Sequence, residues 1–349
     1  MNRMPLLDLT RWVAAVFVVL FHYIFMIDAI RENNIFISET VKYGYLGVHL
    51  FFMISGFVIF MTVDKKNTPL AFFIARAIRL YPSYVLSILL TCIAMFAIQG
   101  TFKFSLKEIA ANLTMFADSI GSSSINPAYW SLAVEVIFYF IVFCSLFFIN
   151  NTKKIMIVIL FWLTLSIINI FISLGIFEKL LILKYCPLFV GGAGFYLYMK
   201  TKATKYLFYA FLSLPVSIYY SIKHSQKLSE QFQYFHFSWI TVSILITLFY
   251  MYMFFITLHP SRGDKMNRKL INYLAGSSYI IYLIHETAGK AFIKMHIEYG
   301  LLTVFITILF VLAISIALFL KVEIPLQNKI KEQFYPKKIK NHSVVIKKN

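Results

Sequence analysis

Charge is the scarcest property of this chain. Only 14% of its 349 residues are Asp, Glu, Lys or Arg, where a soluble domain carries about a quarter. Water is therefore not its main solvent. Cysteine is nearly as rare: Cys92, Cys144 and Cys186 fall inside apolar runs without metal or redox spacing. That pattern argues against a disulfide framework and a zinc-ligand set, so no metal is expected. Acidic residues number 15 against 33 basic ones, for a net charge of +18. In a soluble protein such an excess would suggest nucleic acid. Here nucleic acid is not an expected partner, because Lys and Arg also collect in the cytoplasmic loops of membrane proteins. No stretch reads as a soluble domain, a linker or an internal repeat.

What the chain has is apolar length. It is 60% hydrophobic and 18% aromatic, with 37 Phe and 22 Tyr, as suits lipid-facing helices and interfacial belts. Runs long enough to cross a bilayer lie near 10–27, 44–63, 81–99, 129–149, 155–174, 180–198, 205–222, 236–258, 270–290 and 300–321. The first follows a short basic start but no convincing cleavage site, so it reads as a retained helix. With the N-terminus inside, 23 of the 33 Lys and Arg fall on the inner side and nine acidic residues on the outer. The expected fold is all-α and polytopic, with about ten transmembrane helices and both termini cytoplasmic. A membrane domain spans 1–328, followed by a basic tail over 329–349 that suits anionic headgroups.

Against that background, ionisable groups at membrane depth mark candidate sites. Arg11 and His22 bracket one apolar run, RWVAAVFVVLFH. Eleven residues of helix rise about 16 Å, so an arginine at one face places the histidine near the midplane. His49 lies in the second run, Glu135 in the fourth (YWSLAVEVIFYF) and His285 near the outer end of the ninth (YIIYLIHE). All four depths fall between the midplane and the outer face, as lining residues of a polar cavity would. A lone membrane histidine can equally bond a neighbouring helix, and His285 with Glu286 can simply sit at an interface. Glu135 paired with a histidine would make a base and its orienter for activating a hydroxyl.

At the inner side, FFIARAIRLYPSY sets Arg76 and Arg79 three residues apart on one helical face. Two guanidiniums there can clamp phosphate, although positive-inside anchoring explains most such arginines. Asp8 and Arg11, also three apart, suggest a local pair at the mouth of the first helix. Gly44, Gly47 and Gly56 in GYLGVHLFFMISGF have the small-residue spacing of close helix packing.

The segments LLDLTRWVAAVFVVLFHY, GYLGVHLFFMISGFVIF, FFIARAIRLYPSY, YWSLAVEVIFYF, LAGSSYIIYLIHE and VEIPLQ, in this order over residues 6 to 326, resemble the acyltransferase family 3 of integral membrane proteins. The resemblance implies about ten helices. It also implies transfer of an acyl group, usually acetyl, from coenzyme A to extracytoplasmic sugars of O-antigen, capsule, exopolysaccharide or peptidoglycan. The family's Arg-x10-His element falls on Arg11 and His22, its Arg-x-x-Arg element on Arg76 and Arg79, and its Trp-Ser-Leu-x-x-Glu element on Trp130, Ser131 and Glu135. His49 stands where the family usually has aspartate, which leaves the role of that position open. Many relatives carry an SGNH-type extension, and here the membrane domain is expected to act alone or with a separate partner.

The reading is thus a bacterial inner-membrane O-acetyltransferase of a surface polysaccharide or lipid-linked glycan. Acetyl-CoA is the co-substrate, with Arg11, Arg76 and Arg79 toward its phosphates and His22 and Glu135 as the catalytic pair. Asp8, His49, Trp130, Ser131 and His285 stand around substrate. A transporter or flippase for a lipid-linked sugar or acyl donor is the alternative, with the polar cavity as its path. The lack of a repeat relating two halves counts against it.

Overall fold

The computed structural model describes residues 4–65, 68–149, 151–263 and 266–334. Lys66, Lys265 and the part of the basic tail from 335 onward lie outside the described residues. Among the described residues all regular structure is helical. The principal helices are α1 (Pro5–Phe25), α2 (Gly47–Val63), α3 (Pro69–Gln99), α4 (Trp130–Phe148), α5 (Thr152–Phe171) and α6 (Cys186–Thr201). They are followed by α7 (Thr204–Gln231), α8 (Trp239–Leu258), α9 (Arg268–Ile284), α10 (Glu286–Met295), α11 (Leu301–Leu318) and α12 (Ile324–Phe334). Each of the ten apolar runs falls on a helix. Seven stretches are long and apolar enough to cross a membrane: Pro5–Phe25, Ile35–Val63, Pro69–Gln99, Pro127–Phe148, Thr152–Phe171, Trp239–Leu258 and Leu301–Gln333. The other three runs meet α6 and α9, which are shorter, and α7, which is more polar. The protein is a multi-pass, all-α membrane protein.

Helix ends follow local chemistry. Pro5 and Pro69 open α1 and α3, where a missing N–H is harmless. The Thr68 hydroxyl caps Ala71 N–H, and Gly100 ends α3 in the left-handed region (φ 72°). At 31 residues, α3 is about 46 Å long and outruns a hydrocarbon core of about 30 Å. Its first turns, which carry Arg76 and Arg79, can therefore stand in the interface. Two helices lose regularity where the chemistry lies: α1 ends in a π-helical turn, Phe21–Phe25, that holds His22, and a second π turn, Phe319–Glu323, joins α11 to α12. Such turns in long helices concentrate at functional sites.

The centre of the bundle is α2 against α6. A Cβ on Gly192 would lie 1.9 Å from the Met53 carbonyl oxygen, and one on Gly56 would lie 2.2 Å from that of Phe189. Only glycine permits backbones this close. Gly47 likewise lets α2 approach α1, with Ala14 O 2.7 Å from a hypothetical Cβ. Around this core, Leu89, Phe140, Phe161, Ile244 and Leu309 are exposed, as a lipid-facing belt requires. At the end carrying Arg76 and Arg79, hereafter the basic end, Asp64 accepts from Thr152 (2.9 Å) and Tyr196 and pairs with Lys200 (2.6 Å). Burial pushes the Asp64 carboxyl up, but the Lys200 ammonium and the two hydroxyls overcome it and hold it below the usual carboxylate range.

Candidate active site

A cavity of about 850 Å³ enters the bundle from the basic end between α1, α2, α3, α4, α9 and α12. Arg11, Arg76 and Arg79 line its mouth, joined by Lys331 from α12. The Arg76 guanidinium donates to Thr62 Oγ1 (2.9 Å) and lies over the Tyr139 ring, 5.8 Å from its centroid. Its Nε is buried without a partner, an unspent donor at the cavity wall. Arg79 pairs with Glu323 at 2.9 Å from the second π turn and lies 5.7 Å from the Tyr279 ring centroid. The arginine pair thus does share one face and one cavity. A phosphate here would meet the Arg76 guanidinium and an Arg79 already shared with a carboxylate.

Inward, the cavity follows α2 from Val58 back to Val48 and α4 from Tyr139 back to Ser131, about 15 Å along α2. Glu135 projects into it, accepting hydrogen bonds from Ser55 Oγ (2.6 Å) and Tyr139. The pairing of Glu135 with a histidine that its depth suggests does not form. Depth along a helix fixes height but not azimuth, and Glu135 faces the arginines instead. The local pair expected of Asp8 and Arg11 does not close into an ion pair among the described residues; Asp8 and Glu135 act on the Arg11 guanidinium as more distant opposite charges.

The cavity reaches inward past Glu135. Its inner end is Tyr282, whose hydroxyl bonds Ser131 Oγ (2.6 Å) and the Ala128 carbonyl (3.1 Å). The Tyr282 ring centroid lies 5.7 Å from that of His285. Beyond it sits a cluster built by α1, α9 and α10. His22 Nδ1 and His285 Nε2 are 2.9 Å apart, and His22 Nε2 lies 3.7 Å from Glu286 Oε1. Lys290, one turn along α10, donates to the same Glu286 oxygen at 2.8 Å. Tyr23 donates to the His285 carbonyl. His22 points at this cluster rather than at lipid: its side chain is 16% exposed and that of Glu286 6%.

Hydrogen-bond bookkeeping fixes the tautomers. His285 Nδ1 faces two carbonyls, of Tyr282 (2.8 Å) and Ile281 (3.2 Å), so it carries the proton. His285 Nε2 then accepts, and His22 Nδ1 must donate to it. His22 Nε2 is left with the lone pair, beside the Glu286 carboxylate. A base with one nitrogen tied down and an anion ready to stabilise its protonated form suits proton transfer. His22, His285 and Glu286 also offer ligand atoms within 4.8 Å of one another. The histidine pair is satisfied by a proton, however, and the Lys290 ammonium already supplies the positive charge beside Glu286, so the donor set fits a proton relay better than a cation.

Other residues take different places. His49 is buried away from His22, its ring stacked with His224 (centroids 6.1 Å apart) beside Tyr45 and Tyr185. Trp130 packs on Tyr185, centroids 5.3 Å apart, outside the arginine cavity, while Ser131 faces into it. Sequence reasoning undervalued Glu286 and missed Lys290, Tyr282 and Glu323. The Glu-x-x-x-Lys spacing of Glu286 and Lys290, just after a membrane histidine, was the available signal.

A membrane bundle with a basic cavity and a buried His–His–Glu cluster near its inner part can hold an anion and move a proton. The chain belongs to the acyltransferase family: residues 5–321 match the family described as "Acyltransferase domain". It is 32% identical over 116 residues to "Exopolysaccharide production protein ExoZ" of Rhizobium meliloti (strain 1021), 32% of this chain and 37% of that protein. It is 40% identical over 94 residues to "Protein 2 in picA locus" of Rhizobium radiobacter, 26% of this chain and 44% of that protein. The matched stretch covers less than half the length of either relative. No solved structure matches the chain.

Proposed function

We propose that the protein is an O-acetyltransferase of the bacterial cytoplasmic membrane, moving acetyl from acetyl-CoA to a hydroxyl of a surface polysaccharide or its lipid-linked precursor. The observation that carries the reading is the His22 Nε2 lone pair, held beside Glu286 beyond Tyr282 of an arginine-lined cavity. The excess of basic residues fits a cytoplasmic mouth for that cavity. The nucleotide phosphates of the donor would meet Arg76, Arg79 and Lys331, with Arg11 adding to the field. The slender pantetheine arm would run along the cavity and bring the thioester to Tyr282.

In the transfer step His22 Nε2 takes the proton of the acceptor hydroxyl while that oxygen forms its bond to the thioester carbonyl carbon. The C–S bond then breaks, and the leaving thiolate recovers the proton from the imidazolium, giving an ester and free CoA thiol. Glu286 stabilises the imidazolium between the two proton transfers. His285 keeps the lone pair on Nε2. The polysaccharide acceptor is supported by the name of the ExoZ relative.

Purified protein assayed with labelled acetyl-CoA and de-O-acylated surface glycan tests the proposal. His22→Ala should abolish labelling of the glycan, and near-wild-type turnover would remove the site. A transporter predicts instead that coenzyme A thiol is never released.

A further inference from the structure

A second cavity, of about 260 Å³, lies on the other side of α4. Helical periodicity makes α4 a shared wall: Trp130, Ala133, Val134 and Ile137 face this cavity, while Ser131, Leu132, Glu135 and Tyr139 face the arginines. It opens at the end away from the arginines, where α4 begins.

Its lining is of two kinds. Trp130 and Tyr185, with ring planes inclined by 37°, give it an aromatic wall. Asp118, Ser119 and the Glu178–Lys184 ion pair give it a polar rim. The rim also holds Lys179, so its two carboxylates and two ammoniums balance. By contrast, the groove of about 310 Å³ formed by Leu70, Phe73, Phe143 and Phe147 is almost purely apolar and suits a lipid chain.

The second cavity is also held at a conformational cost. Met115 and Ile182, two of the three non-glycine residues with positive φ (67° and 46°) among the described residues, both line it. A β-branched residue in that region is a rare outlier, and such strain persists where the surroundings fix a working shape. An uncharged sugar ring matches this lining. Its C–H face is apolar enough to lie on an indole or phenol ring, and its edge of hydroxyls needs carboxylates and hydroxyls as partners.

The cavity is tied to the relay by one strip of chain. Ser124 and Trp130 line it. Between them, the Ile125 carbonyl accepts from Thr287 Oγ1 (2.9 Å), and Asn126 donates to the Leu283 carbonyl (2.8 Å). These partners flank His285 and Glu286. From this juxtaposition we infer that the Trp130–Tyr185 cavity binds an uncharged sugar residue of the acceptor, a neighbour of the one that is acylated. The inference rests on the reading of the acceptor as a glycan.

Saturation-transfer NMR on the whole protein in nanodiscs tests it, with short oligosaccharides released from the cells' own surface glycan and stripped of esters by alkali as the probe. Wild type should bind saturably. Trp130→Ala should weaken binding about tenfold, Trp130→Phe much less, and Asp118→Asn, at an exposed position, about threefold. His22→Ala should bind as wild type while transferring nothing. Absence of saturable binding to wild type would overturn the inference, as would equal binding by Trp130→Ala and Asp118→Asn. If wild type binds the sugar but releases no coenzyme A thiol, the transferase reading falls and the sugar site stands.

Discussion

Glu286→Gln separates the charge of the His–His–Glu cluster from its shape. At 3.7 Å from His22 Nε2, a carboxylate attracts an imidazolium by about 4.5 kcal/mol at an effective dielectric near 20. Lys290 sits on the same oxygen at 2.8 Å and cancels part of this. If about half survives, the variant loses ~2 kcal/mol of stabilisation of the protonated base, a fall in kcat of about thirtyfold. Glu286 lies outside the arginine cavity, so the KM for acetyl-CoA should stay put. Steady-state acetyl transfer by purified protein reads both parameters. The reasoning is refuted if kcat stays within about twofold of wild type, or if the loss falls on donor KM instead. Glu286→Ala should be worse, because it also strands the Lys290 ammonium.

Other perturbations probe other parts of the molecule. Arg76→Ala with Arg79→Ala should raise the KM for acetyl-CoA by tenfold or more, about 1.4 kcal/mol of lost phosphate contact, with little change for short thioesters that lack the nucleotide. Tyr282→Ala should widen the cavity toward His285 and raise acceptor-independent release of coenzyme A thiol, measured with a thiol reagent; an unchanged rate would show that Tyr282 is no barrier. Gly192→Ala forces a Cβ to within 1.9 Å of the Met53 carbonyl, so the bundle should lose about 1–3 kcal/mol or fail to assemble, read as thermal unfolding in detergent. Asp64→Asn tests linkage. Because the folded Asp64 carboxyl is held low, its contribution is fully present above the usual carboxylate range and is lost only as pH falls through the folded value. The stability gap between wild type and Asp64→Asn should therefore be constant near neutrality and close only in acid.

The membrane helices and most of the site's residue types could be read from the sequence because lipid penalises every exposed charge. His22, Glu135, Arg76 and Arg79 stood out on that ground alone, and all of them face polar surroundings. Their partners could not be read. Rise per residue gives height in the membrane, but the rotation of a helix and the order of its neighbours come from packing. That is why Glu135 meets Ser55 and Tyr139 rather than a histidine, and why His49 stacks on His224. The π turn at Phe21–Phe25 was equally hidden, since nothing in FHYIF departs from ordinary helix-compatible sequence. It widens the helix after Phe21, with Met26 N–H reaching back to the Phe21 carbonyl, an insertion no simple helical count supplies.

The Tyr282 latch has a bioenergetic consequence. On the proposed reading, a donor on one face of the membrane serves an acceptor on the other, and the group must cross without a pore forming. Tyr282, latched to Ser131 and the Ala128 carbonyl, stands between the arginine cavity and the His285 cluster. Vesicles carrying the protein should therefore hold a pH gradient during turnover.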